Sequence, residues 1–212
     1  MSDIPESVLS SYFGEAYPKI SQFGSLLVTD GITKGLIGPR EADRIWERHL
    51  VNCAGVCSVL PTSGAILDLG SGAGLPGLII AIMRPLQPVI LLESLLRRTS
   101  WLSEMAATLA LPNVTVVRGR AGENLQLPDV SAVTARAVAP LNKLLVWSAP
   151  ILKPGGGLYA LKGSNVADEI GALNSGPDTK KISKDWLLPP SVVQIETIVG
   201  VEPTTVAKVI KR

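Results

Sequence analysis

The chain has 212 residues, which suits one principal domain with room for an appendage. Hydrophobic residues make up 46%, which excludes a disordered chain, and the longest apolar runs, such as Gly77 to Met83, are far too short to span a bilayer. Net charge is only +2 but unevenly placed: −2 over residues 1–64, +4 over 65–212, and nine basic against four acidic residues from Arg84 to Lys162, a balance that permits a polyanionic partner without demanding one.

One histidine and two cysteines provide no ligand cluster, so no metal site is expected. Cys53 and Cys57 stand four apart on one face of an expected helix and read as small core residues. No early stretch has the basic, apolar, small-residue order of a signal peptide, so the chain reads as cytoplasmic, with no membrane partner.

Residues 6–30 carry helical apolar spacing (Val8, Leu9, Tyr12, Phe13, then Ile20, Phe23, Leu26, Leu27), interrupted at Gly14 and Pro18. TDGITKGLIGPRE reads as a loop, and a helix follows from about Arg40 with Ile45, His49, Cys53, Val56 and Leu60 as one buried stripe. From Ala65 the rhythm becomes strand, turn, helix. AILDL, PVILLE, NVTVVRG, DVSAVTARA and GGLYALKG read as strands. LPGLIIAIM, with Pro76 in its first turn, RRTSWLSEMAATLAL, PLNKLLVWSAPIL and VADEIGAL read as helices. SVVQIETIVG and TTVAKVIKR alternate as a closing antiparallel pair. The expectation is a helical N-terminal region (1–64) on an α/β, Rossmann-like domain (65–212), doubly wound, with a mostly parallel seven-stranded sheet and an antiparallel edge.

ILDLGSGAGLPG (66–77) is a strand entering a glycine-rich turn at the end of the first strand, where such sheets bind ligands. Gly70, Gly72 and Gly74 allow a tight turn and close backbone approach. Glu93, ending the second strand about twenty residues on, can accept hydrogen bonds from ribose hydroxyls. An adenosine site follows, open to NAD or to S-adenosyl-L-methionine. Three features favour the latter: Asp68 inside the strand, near the methionine end of the cofactor; Pro76, which has no N–H for a pyrophosphate; and the Lys-Pro-Gly-Gly turn before the fifth strand.

The stretches WERHL (46–50), ILDLGSGAGLPGL (66–78), LLESLLRRTSWL (91–102), VVRGRAGE (116–123), TARAVAPL (134–141) and ILKPGGGLYALKGS (151–164) closely resemble, in order, the bacterial 16S ribosomal RNA guanine-N7 methyltransferases of the RsmG type, the glucose-inhibited division protein B family. The resemblance covers about residues 40 to 165. It implies a class I S-adenosylmethionine-dependent methyltransferase that modifies one guanine in the decoding region of small-subunit rRNA, as free rRNA or within a subunit or assembly intermediate. It also implies cofactor contacts at Gly70, Leu75, Ala121, Gly122 and Arg136. The chain departs from the family in having Gly122 where Glu is usual and Asn52 where Asp is frequent.

Guanine N7 carries a lone pair and no proton, so its methylation requires no general base, only alignment and exclusion of water. Arg136, after the fourth strand, and Lys162, ending the fifth, are expected in the cleft as catalytic groups. Arg48, Arg98 and Arg120 are candidates for RNA phosphates. His49, also an RNA-side candidate, aligns with Ile45 and Cys53, which favours a structural over a catalytic role. Trp101 and Trp147 fall at apolar helix positions and read as core. The competing readings are a nicotinamide-dependent oxidoreductase using the same turn and a non-catalytic RNA-binding assembly factor.

Overall fold

A computed structural model describes residues 4–123 and 125–212. The chain opens with α1 (Glu6–Phe13) and α2 (Tyr17–Leu26), joined by a 3-10 turn and followed by a π-helical stretch, Leu27–Gly31. Pro18 falls in the first turn of α2, where its missing N–H costs nothing. Residues 39–58 form one helical rod, with no buried residue in Pro39–Arg44 and most of the remainder buried, and its winding changes: 3-10 at Pro39–Arg44, π at Ile45–Val51, α3 at Asn52–Gly55, then 3-10 at Val56–Ser58. The apolar stripe from Ile45 to Leu60 is buried throughout, His49 included. At its end the rod meets the sheet at close range. A Cβ on Gly55 would stand 2.5 Å from Thr204 Oγ1, so only glycine fits there.

The α/β part runs β1 (Ala65–Leu69), α4 (Gly77–Met83), β2 (Val89–Glu93), α5 (Leu96–Thr108), β3 (Val114–Arg118), β4 (Val130–Arg136), α6 (Leu141–Ser148), β5 (Leu152–Lys162), α7 (Val166–Gly171), α8 (Thr179–Asp185), β6 (Trp186–Ile195) and β7 (Thr204–Lys211). The strands form one sheet in the order β3-β2-β1-β4-β5-β7-β6. Strands β1 to β5 pair parallel, while β7 lies antiparallel between β5 and β6. Helices cover both faces, so β2 is buried at every position and β4 at all but its last, which explains their unbroken apolar runs.

Alternate residues feed two cores. Ile66, Leu91, Ala132 and Val206 pack with the N-terminal helices, α4 and α5; Leu67, Ile90, Val133 and Ala207 pack with α6, α7 and α8. The N-terminal elements thus share one core with the α/β part, and Gly24 brings α2 so close to the rod that a Cβ would stand 2.8 Å from Leu50.

Several expectations change. Pro76 precedes α4 instead of lying in its first turn. Strand β5 begins at Leu152 and runs through the Lys-Pro-Gly-Gly segment, with a register shift against β4 and Gly155 at φ +77. Strand β6 begins at Trp186 and crosses Pro189 and Pro190, which an edge strand tolerates. Helix α8 has no apolar periodicity: Ile182 is its one buried residue. Trp101 is buried, but Trp147 is only partly so.

Candidate active site

Strand β1 ends in a turn whose Gly70, Gly72 and Gly74 have φ of +73, +56 and +99, a region that L side chains rarely adopt. The N–H groups of Gly70 and Ser71 both donate to Leu92 O, at 2.8 and 3.0 Å, which ties the turn to β2. A Cβ on Gly70 would stand 2.8 Å from Val138 Cγ2, so the segment after β4 lies directly against the turn.

Asp68 is fully buried. Its Oδ2 accepts the Gly77 N–H at 3.0 Å, while Oδ1 is buried without a hydrogen-bond partner. Burial pushes its carboxyl up to about 7, against the nearby Ser71 hydroxyl, the Gly77 bond and the Arg136 charge. Glu93, also buried, accepts three backbone N–H groups: Gly72 at 3.0 Å on Oε2, Ser94 at 2.8 Å and Leu95 at 3.0 Å on Oε1. A carboxylate has about four acceptor positions, so roughly one remains beside the Gly72 bond. Two ribose hydroxyls together therefore require the Gly72 N–H to give way. Arg98 stands 3.7 Å from Glu93 Oε2, and its Nε is buried without a partner.

Beyond the turn, at the C-terminal ends of β4 and β5, a cleft of about 1190 Å³ is lined by Arg48, Arg136, Val138, Lys162, Glu169 and Gln194 among others. The sequence predicts Lys162 as a catalytic group in the cleft. Instead its Nζ donates to Glu169 Oε2 at 2.7 Å and to Ala139 O at 2.9 Å, with its side chain 9% exposed. The same Glu169 oxygen accepts the Leu141 N–H at 2.6 Å. The pair therefore fastens the 137–140 segment and the start of α6.

Arg136 pairs with neither Asp68 nor Glu93 in any ion pair among the described residues. Its Nη1 lies 2.9 Å from Cys53 Sγ and its Nη2 2.7 Å from His49 Nδ1. Burial pushes the Cys53 thiol up, against the pull of Arg136, so Sγ is a neutral, weak acceptor. On the far side of the ring, His49 Nε2 lies 2.7 Å from Glu41 Oε2. A guanidinium has only donors, which makes Nδ1 the acceptor and leaves the proton on Nε2, donating to Glu41. Burial, then the Arg136 charge, lowers the His49 pKa; the His49 hydrogen bond does the same for Glu41.

The match to known sequences follows the same elements. The family model of rRNA small subunit methyltransferase G (GidB) matches residues 16–187. The chain belongs to this family. A Thermobifida fusca relative named ribosomal RNA small subunit methyltransferase G is 50% identical over 167 residues, covering 79% of this chain and 70% of its own. One of the same name from a Nocardioides species is 42% identical over 207 residues, covering 98% and 81%. The fold is shared with a crystal structure of a SAM-dependent methyltransferase from Aquifex aeolicus, at TM-score 0.57 and 17% identity over 85% of this chain and 97% of that one. Membership in a methyltransferase family decides against the nicotinamide and non-catalytic readings of the glycine turn.

Most of the residues singled out from sequence fall into two groups. Asp68, Gly70, Gly72, Gly74, half-buried Leu75 and Glu93 gather at the turn, and Arg98 joins them through Glu93. Arg48, Arg136 and Lys162 line the cleft, with His49 bonded behind Arg136. Arg120 is exposed beyond β3. Ala121 packs at the margin of the second core. Gly122 has φ +89, and a Cβ there would stand 3.0 Å from Trp147 Cδ1, so the Glu that the resemblance leads one to expect does not fit this backbone unstrained. Sequence reading missed Glu41, Val138 and Glu169. Glu41 and Glu169 look like ordinary surface acids, and nothing in their spacing announces their partners.

Proposed function

We propose that this protein transfers the methyl group of S-adenosyl-L-methionine to N7 of a guanine in 16S rRNA of the small ribosomal subunit. The family match supports an rRNA substrate. The observation that carries the choice of N7 is the state of the chain's one histidine: His49 is bonded at both ring nitrogens, to Arg136 and Glu41, and serves no substrate proton. A reaction that needs no base suits such a site.

The turn fits the cofactor on two grounds. It presents bare backbone at Gly72, where a Cβ would meet nothing closer than Gly70 O at 3.8 Å, and a buried Asp68 oxygen without a partner, suited to a cationic methionine end. Asp68, Gly70, Gly72, Gly74, Leu75, Glu93, Ala121 and Gly122 would hold it. When bound, S-adenosylmethionine supplies a methyl group that leaves its sulfonium sulfur as the N7 lone pair forms the new carbon–nitrogen bond, and the positive charge passes to the purine. The chain's own part is alignment and the exclusion of water. Arg136 can donate to guanine O6 from the cleft wall, and Lys162, through Ala139 O and Glu169, keeps the 137–140 segment against the glycine turn. Arg48 lies on the opposite, N-terminal wall, exposed and placed to meet RNA phosphate. Among the described residues no helix is long and apolar enough to cross a membrane and no group of His, Cys, Asp and Glu can hold a metal ion. A ribosomal RNA substrate supports a cytoplasmic location.

The test is methyl transfer from labelled S-adenosylmethionine to small subunits, and separately to free 16S rRNA, from cells lacking the protein. Label on a single guanine N7 supports the reading. Label on another atom or another RNA, or none on either substrate, overturns it.

A further inference from the structure

Glu41, His49 and Arg136 form a hydrogen-bonded row that crosses from the N-terminal rod to the end of β4. The links are 2.7 Å from Glu41 Oε2 to His49 Nε2 and 2.7 Å from His49 Nδ1 to Arg136 Nη2. Only Arg136 lines the cleft; Glu41 and His49 stand behind it. Cys53, one helical turn beyond His49, meets the other nitrogen, Nη1, at 2.9 Å. Both guanidinium ends are thus held from the N-terminal side, and the plane of the group has little freedom to turn.

The direction of each bond is fixed. The guanidinium donates, so His49 Nδ1 must be bare, and Nε2 then donates to the carboxylate. Protonating His49 sets an N–H on Nδ1 against an N–H of Arg136, and two positive groups face each other. The row survives with one protonation state of the ring only. The groups facing the ring are Glu41 and Arg48 from the rod, Cys53 from α3 and Arg136 from β4; Asp68 of β1 lies behind Cys53 and Arg136.

We infer that Glu41 and His49 are positioning residues that hold the Arg136 guanidinium in the orientation methyl transfer uses, and that they do so only while the His49 ring is neutral. This rests on the reading that Arg136 serves the reaction. It gives the N-terminal rod a task in the chemistry without contact to the substrate. It also makes a reaction with no general base depend on pH, with activity lost as acid protonates His49.

The experiment measures turnover on unmethylated small subunits at saturating cofactor from pH 5 to 8. Wild-type turnover is expected to be flat at the upper end and to fall below the ordinary histidine range, because burial and Arg136 lower the His49 pKa. His49→Leu is expected to lose at least about tenfold in kcat with little change in cofactor KM. His49→Gln recovers most of that loss, since a carboxamide offers one acceptor and one donor, and its acid limb disappears. Any limb that persists in His49→Gln belongs to another group, Asp68 first. Glu41→Ala lowers the rate and moves the limb to lower pH, because the carboxylate that favours the charged ring is gone.

Adding His49→Leu to Arg136→Ala is expected to cost nothing further. Additive losses, normal turnover in His49→Leu, or the same acid limb in wild type and His49→Gln overturns the relay while leaving Arg136 in the reaction. Normal turnover in Arg136→Ala overturns the reading of Arg136 and the relay together. If His49→Leu does not fold, Glu41→Ala at the surface and the His49→Gln pH profile decide the matter.

Discussion

Glu93→Gln puts an NH2 group into a place built for acceptors alone. The carboxylate holds three backbone N–H groups at 2.8 to 3.0 Å and is 5% exposed, so solvent cannot replace what is lost. The amide oxygen is expected to stay with Ser94 and Leu95, where it keeps two donors. Its nitrogen then faces the Gly72 N–H. One charge-assisted bond is lost and one buried donor stranded, at about 1.5–3 kcal/mol. For a chain of this size each kcal/mol lowers Tm by roughly 2–4 °C, so thermal unfolding without ligand should show a drop of several degrees. The remaining acceptor beside Gly72 is also lost to ribose. Affinity for S-adenosylhomocysteine, read by titration calorimetry well below the Tm, should fall roughly tenfold to a hundredfold. An unchanged Tm would refute the hold on the turn; a lowered Tm with unchanged affinity would refute the ribose contact.

Lys162→Ala is expected to lower both turnover and stability, the latter by about 1–3 kcal/mol in chemical denaturation, since it removes the partner of Glu169 and of Ala139 O. An unaltered midpoint would give Lys162 a free role in the cleft. In the ligand-free protein, Asp68 stays protonated up to about 7 while the unfolded chain ionises it near its ordinary 3.8. Stability should therefore fall as pH rises between these values and level off above; Asp68→Asn should flatten that slope, and an identical slope in the variant would show that Asp68 is not its source. Gly122→Glu should cost about 1–2 kcal/mol, because φ is +89 and Trp147 blocks the Cβ; unchanged stability would mean the loop readily adopts another path.

Much of this architecture is legible in the sequence because it is written in periodicity. The apolar run of β1 entering Gly70, and the stripe from Ile45 to Leu60, each identify an element and the face it buries. Helix α8 was invisible because seven mostly polar residues bury Ile182 alone. The change of winding between Pro39 and Ser58 was equally hidden, since a stripe spaced by threes and fours fits a plain α-helix as well as a rod in which tight 3-10 and wide π turns average out. For the site, position was legible and partnership was not. Arg136 and Lys162 stand at strand ends and so had to approach the cleft, but which groups meet them depends on tertiary packing. His49 and Cys53 are 87 and 83 residues from Arg136, and no local rule joins them. Glu93 shows the same split: its spacing from the glycines leads one to expect a ligand group, while its hold on Gly72, Ser94 and Leu95 emerges only when the strand end and the turn are side by side.

The most direct measurement is the position of the transferred methyl group. Purified protein, labelled S-adenosylmethionine and small subunits from cells lacking the protein are combined, and the 16S rRNA is treated with borohydride and aniline, which cleave the strand at N7-methylguanosine. The expected result is one enzyme-dependent cleavage at one guanine, carrying all the label and absent with Arg136→Ala. Label that resists this cleavage, or that spreads over many guanines, would contradict methyl transfer to a single N7.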